Sequence, residues 1–357
     1  MARYETGFDQ ARQLLRSRSD RVAYGLLALT LVAAPWVLPN YYIGEATFIL
    51  IMCVASLGLM MLTGFTGQTS LGQSAFVGIG AYVHVVLLTN GMPFPVSLLL
   101  AAAGAGIAGL LVGMPAIRVS GLHLAMVTMA FAIVTEHVLG RWKSVTAGHS
   151  GLPVPDPAIF GFSLGGPRPF YFVCLVVLVL ALLLLVNLMR SATGRAFIGI
   201  RDSEAAAQGL GIDVARTKVI AFSLSAGISG LAGALLAHQM QHITPEAFGL
   251  ALSLQLVLMV FIGGLGSLRG AILGAVLIGL LPSLISALKD ALPARVGAQF
   301  GLELFVYGAV LTFFVLLEPG GLNARWVRIR KVLGEFPWVR TSNIHRTKVY
   351  MKSERYR

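Results

Sequence analysis

Few side chains in this 357-residue chain stand at spacings that could do chemistry. His238 and His242 are four apart, a spacing that puts two imidazoles on one helix face and within reach of one metal ion. No Glu follows His238 as in a zinc protease and no third ligand is evident, so the pair reads as two histidines near a helix end. Glu136 and His137 close an apolar stretch, where an acid and an imidazole could relay protons; the neighbouring Arg141 makes a solvated interfacial pair the simpler reading. Two glycine-rich runs, Thr63–Ser74 and Gly263–Gly270, could be mistaken for phosphate loops. Neither ends in the Gly-Lys-Ser/Thr that sets a lysine on nucleotide phosphates and a hydroxyl on magnesium. No Gly-x-Ser-x-Gly elbow raises a serine nucleophile. The residues therefore point away from an enzyme, call for no cofactor, and leave any ATP to another chain.

Two polar stretches invite a mechanical role instead. Thr63–Ser74 lies at membrane depth between apolar runs, and non-helical backbone survives there only when buried in protein or lining a cavity. Gln68, Thr69, Gln73 and Ser74 are the candidates to line a translocation pathway, with a structural helix break as the alternative. Arg190–Lys218 holds a short alanine patch, Ser203 to Gln208, closed by Gly209 and Gly211. Asp202 or Ser203 can cap its start and a glycine its end. Such a helix has about two turns and is too short to persist alone. Docking into a groove of a soluble partner would hold it, with Ser203, Glu204, Ala205, Ala206, Gly209 and Gly211 at the contact. An ordinary inter-helix loop is the alternative.

Composition says what carries these stretches. Hydrophobic residues make up 56% of the chain and charged residues 12%, with 41 glycines and a mean hydropathy of +0.80; these are the numbers of an all-α polytopic membrane protein. At about 20 apolar residues per crossing, ten spans are expected: 22–38, 46–63, 70–89, 94–117, 121–140, 170–189, 219–240, 250–265, 269–288 and 302–318. The third is glycine-rich and the eighth short, so either could be broken or re-entrant. Small residues recur every fourth position at Gly109 and Gly113, at Ala226, Gly230 and Ala234, and at Gly266, Gly270 and Gly274, a pattern that lets helices approach closely. Cys53 and Cys174 fall in apolar spans and imply no disulfide.

The net charge of +12 sits in loops and tail, which a membrane explains without nucleic acid. With both termini cytoplasmic, only Arg141, Lys143, Arg168, Lys289 and Arg295 of the basic residues beyond the first span fall outside, as the positive-inside rule prefers. The chain then divides into a basic amino terminus (1–21), a transmembrane permease region (22–318) with a cytoplasmic loop at 190–218 and an external loop at 141–169, and a basic tail (319–357). The Pro/Gly-rich external loop is long enough to offer a surface to an outside partner. The first apolar run ends in Ala33, Ala34 and Pro35, and proline there disfavours signal cleavage, so the run reads as an uncleaved anchor. The tail reads as a segment lying against anionic membrane lipid.

Taken together, several motifs in order resemble one family. They are Thr63–Phe76 followed by Gly78–Tyr82, Ser120–Thr128, Thr146–Leu152, Gly194–Ala196 leading to Gly211–Asp213, Phe261–Ser267 and Glu318–Leu322. They resemble the permease subunits of branched-chain amino-acid ABC importers, the M-type subunit more closely, over residues from about 40 to 322. The resemblance implies a ten-helix type II importer fold and a heterodimer with a second permease subunit. It also implies two cytoplasmic ATP-binding subunits and an extracytoplasmic solute-binding protein, all at the bacterial cytoplasmic (inner) membrane. The family's ATPase-coupling loop would fall at Arg195–Asp213, with Glu204, Ala205, Ala206 and Gly211 at matching positions. One departure stands out: the general importer signature has glycine where this chain has Leu210, between Gly209 and Gly211. Alternating access driven by partner ATPases follows from the resemblance. The rival is a proton- or sodium-coupled secondary transporter working through Glu136, and relatives that carry urea, amides or aromatic acids leave the substrate open.

Overall fold

A helix with no polar face has to be surrounded. In the computed structural model, which describes residues 18–119, 121–159, 162–291, 308, 312 and 321–335, that helix is α2 (Asn40–Leu59), with every residue from Leu50 to Leu59 buried. It is preceded by α1 (Arg18–Val37) and followed by α3 (Gln73–Thr89), α4 (Phe94–Ala116) and α5 (Leu122–Arg141). After the external loop come α6 (Pro167–Arg190), two short helices α7 (Ala192–Asp202) and α8 (Glu204–Gly209), α9 (Val214–Met240), α10 (Leu250–Gly263), α11 (Leu268–Ala291) and α12 (Gly321–Glu335).

The second pillar is α9, whose 27 residues run about 40 Å at 1.5 Å per residue. It packs against α4, α3 and α2, and small residues make the approach possible. Gly109 and Gly113 of α4 face Ala226 and Phe222, Gly80 of α3 rests on the Gly230 backbone, and Gly233 rests on the Val77 carbonyl. Between helices in lipid, such close van der Waals contact replaces the hydrophobic drive available in water. On the far side of α2, α11 packs beside it and pairs with α10. There Gly263 meets Gly270, and Gly274 meets the Met259 carbonyl.

Peripheral helices show the opposite pattern. α6 buries Tyr171, Cys174, Leu178, Ala181 and Leu185 along one stripe and exposes Val176, Val179, Leu180, Leu183 and Leu184 on the other, as lipid contact requires. α1 leans on α2 and α6, held by Tyr171 Oη donating to the Leu31 carbonyl at 3.0 Å and by Trp36 against Phe172.

Seven helices are long and apolar enough to cross a bilayer, and the shorter segments Gly25–Val37 and Gln73–Thr89 are apolar as well. These nine correspond to the first nine expected spans. The expected third span is short because helix does not begin until Gln73. The tenth, 302–318, lies outside the described residues except for Gly308 and Thr312. Strand is confined to two-residue pairs at one end of the bundle: Ala158–Ile159 with Phe162–Ser163, and Leu152–Pro153 with His242–Ile243. The latter ties the loop after α5 to the end of α9, reinforced by His149 Nδ1 on Glu246 Oε1 at 2.6 Å and His242 Nε2 donating to the Ser150 carbonyl at 3.0 Å.

Candidate functional site

The stretch between α6 and α9 is more ordered than a loop. Ser191 caps α7 by accepting from the Gly194 amide. Ser203 caps α8 by accepting from the Ala206 amide at 3.2 Å, and Asp213 caps α9 by accepting from the Arg216 amide at 3.0 Å. Each cap satisfies an amide that a helix start leaves without an intrahelical partner. Gly211, at φ +82, turns the chain in the left-handed region that a side chain would resist. Its amide donates to Gln208 and that of Ile212 to Ala207, which closes α8 in the manner of a Schellman cap.

Only Ala207 of α8 is buried, against α7, whose Phe197 and Ile200 point into the protein. Ala205, Ala206, Gln208, Gly209, Leu210 and Gly211 are all exposed. Leu210, where the importer signature has glycine, is 83% exposed, so the departure lies on the outer surface and leaves the packing of α8 undisturbed.

Two basic residues connect this surface to the bundle. Glu204 Oε1 meets Lys218 Nζ at 2.7 Å, and the lysine is 3% exposed while the glutamate remains half open. Arg201, near the end of α7, donates from Nη1 to the Gly64 carbonyl at 3.0 Å. Its aliphatic part lies on Gly67, and its guanidinium lies so close to Gly266 that a Cβ there would meet Nη1 at 2.7 Å. Asp202 takes a second edge of the guanidinium at 3.3 Å. Sequence reasoning missed both residues. Lys218 looked like the polar border of a span, and the partners of Arg201 are 137 positions away in the case of Gly64; no local spacing announces either contact.

Gly64 belongs to a π-helical turn, Met60–Phe65, that continues α2. Such turns are rare and often sit at functional positions. Beyond it the backbone runs irregularly to α3, sewn to its neighbours by hydroxyls: Thr69 Oγ1 donates to the Gly121 carbonyl at 2.9 Å, and the Leu71 amide donates to Thr128 Oγ1 at 3.0 Å. Of the four candidate pathway residues, Thr69 lines a cavity of about 270 Å³ whose remaining wall is mostly apolar, with Leu59, Leu122, Val257 and Phe261. Gln73 is buried and donates from Nε2 to Ser225 and Ser229 of α9. Ser74 exchanges hydrogen bonds with Ser253 of α10. Gln68 is 5% exposed with neither side-chain amide atom paired among the described residues.

The ionisable pairs fall elsewhere. His238 meets His84 across α9 and α3, Nε2 to Nε2 at 2.8 Å, among the rings of Phe94 and Phe170, while His242 is exposed at the strand pair. Among the described residues no group of three or more His, Cys, Asp or Glu side chains gathers. Glu136 is half-buried with its carboxylate beside Gly249, and His137 Nδ1 donates to its own helix at Ile133.

The bundle is therefore an all-α multi-pass membrane protein with a capped, exposed helical hairpin attached to a break in its core helix. The chain belongs to the family described as branched-chain amino acid transport system / permease component, whose model matches residues 41–315; this is a family of transport permeases rather than enzymes. It is 32% identical over 269 residues to the high-affinity branched-chain amino acid transport system permease protein LivM of Salmonella typhimurium, covering 68% of this chain and 63% of that one. The LivM of Escherichia coli matches to the same extent. The autoinducer 2 import system permease protein LsrC of an Enterobacter species is 30% identical over 233 residues, 62% of each chain. The chain thus spans about 63% of the length of the LivM relatives it matches. No solved structure matches.

Proposed function

We propose that this chain is the M-type permease subunit of an ABC importer for branched-chain or related hydrophobic amino acids, set in a bacterial cytoplasmic membrane with both termini cytoplasmic. It pairs with a second permease subunit, two ATP-binding subunits and an extracytoplasmic solute-binding protein. The observation that carries the reading is α8, a capped helix with an exposed small-residue face whose Glu204 grips the buried Lys218 of a spanning helix. Ser203, Glu204, Ala205, Ala206, Gly209 and Gly211 form the surface that the ATPase takes hold of. Movement of α8 passes to α9 through Lys218, and from α7 through Arg201 to the π turn and the α10–α11 turn together. The ATPase shifts the permease between its two states only by binding one of them better.

The break Gln68–Ser74 flanks the route, Thr69 facing the cavity while Gln68, Gln73 and Ser74 lie behind it and set where α3 begins. The apolar wall suits an aliphatic side chain. The LsrC relatives favour a second substrate reading within the same machinery, a different small solute, with selection left largely to the binding protein. Ala206→Trp in the reconstituted complex is expected to abolish uptake while expression and binding-protein capture persist; unimpaired uptake removes the coupling role. Uptake that ignores vanadate but collapses with an uncoupler would instead assign the proton-coupled mechanism.

A further inference from the structure

α12 starts beyond the stretch that matches the family, 41–315, yet its first turn is built into the bundle. Gly321, at φ +69, lies against the Gly263–Gly264 backbone, and Leu322 packs on the hydrophobic core. The apolar spacing then continues at Trp326 and Ile329, four and three residues on, which lines them up with Leu322 on one helix face. Here the protein stops: Trp326 is 55% and Ile329 47% exposed, with Val327 also open. Arg325 and Arg328 are exposed between them, and the same helix sequence holds Arg330 and Lys331, with Glu335 its single acid.

We propose that α12 lies on the membrane surface as a sensor of anionic phospholipid, its Trp326 and Ile329 face in the headgroup boundary and its arginines and lysine on phosphates. An amphipathic basic helix with an aromatic on the apolar side is the composition that binds such an interface. Charge chooses lipid over a protein groove, since a groove would have to supply several carboxylates along one helix. The consequence is specific to where α12 begins. Gly321 touches the turn between α10 and α11 on Gly264, two residues from the Gly266 that Arg201 covers, so lipid that fixes α12 also fixes that turn. The proposal needs only a membrane-embedded chain and stands whether or not an ATPase drives it.

The test labels Ile329→Cys with an environment-sensitive fluorophore in the complete transporter held in lipid nanodiscs; Cys53 and Cys174 are buried and stay silent. With about 30 mol % brominated phosphatidylglycerol, strong quenching and a blue-shifted emission are expected. In phosphatidylcholine with the same bromine content, or after R325Q/R328Q/R330Q/K331Q, roughly half or more of the quenching is lost. Equal quenching in both lipids overturns the anionic requirement. Water-like emission in both overturns the membrane contact, and emission that shifts only when ATP-binding subunits are added assigns α12 to a protein partner instead. Because the quadruple variant keeps Gly321, Leu322 and Trp326, unchanged thermal stability in detergent separates loss of lipid contact from loss of fold.

Discussion

Burying an ammonium group costs several kcal/mol unless a counter-charge meets it, and Lys218 meets only Glu204 in the contacts described above. The glutamate is half exposed, so solvent screens the pair, and Glu204→Ala is expected to destabilise the protein by about 1–2 kcal/mol, below the 3–5 of a fully enclosed pair. Lys218→Met should recover most of that loss in the double variant, because no charge is then left buried. Thermal unfolding of the two single variants and the double closes the cycle; simple additivity would show that the two groups do not interact. Arg201 has a different job. Its flat guanidinium serves Gly64 and Asp202 together while lying on Gly266, and lysine cannot reproduce that fork. On the proposed mechanism, Arg201→Lys lowers uptake about tenfold or more while nucleotide hydrolysis continues, measured side by side in proteoliposomes; uptake and hydrolysis falling in step would place Arg201 outside transmission.

Helices make the next set of forecasts. In α8, Gly209 has nothing within 4 Å of an added Cβ and no positive φ, whereas Gly211 sits at φ +82. Gly209→Ala should firm the helix by about 0.5–1 kcal/mol and Gly211→Ala loosen its end by about 1–2 kcal/mol, read as slower and faster amide exchange across residues 203–211. In the bundle, Gly80→Ala would push a methyl into the Gly230 backbone, while Gly104→Ala meets Val83 at an ordinary 3.5 Å. The first should lower stability by about 1–3 kcal/mol and the second leave it unchanged. How far these elements were legible depended on the range of the signal. The short helix at 203–208 and its glycine stop, and the fourth-residue glycine faces on α4 and α9, are local patterns and could be read directly. The helical character of 192–202 could not, since Arg195 and Arg201 break its apolar stripe and Arg201 is accounted for only by Gly64 and Gly266. The π turn was likewise out of reach, because Met60–Phe65 has the composition of ordinary apolar helix.

At the scale of the molecule, hydropathy located nine apolar helices among the described residues, and charge asymmetry gave them a direction that labelling can check. An Ala206→Cys variant should react with an impermeant maleimide only from the cytoplasm and Asp156→Cys only from outside, the buried native cysteines giving no background. Reaction of both from one face would overturn the orientation. Sequence could not have shown that the loop after α5 and the start of α10 are clasped together by Leu152–Ile243 pairing and the His149–Glu246 contact, for those residues are separated by two spanning helices. One end of the bundle is therefore clasped, and the movable joint lies at the other, where α7, the π turn and the α10–α11 turn converge.

The π turn also bears on which insertions and deletions this chain tolerates. A wide turn of this kind holds one residue more than a regular helix of equal rise. Deleting a single residue between Met60 and Phe65 would let α2 wind on smoothly, with little harm to its buried flanks. The same deletion would swing everything after it by about 100° around the axis, carrying the Gly64 carbonyl away from Arg201. Such a variant would be well folded and idle, a machine whose gears no longer mesh.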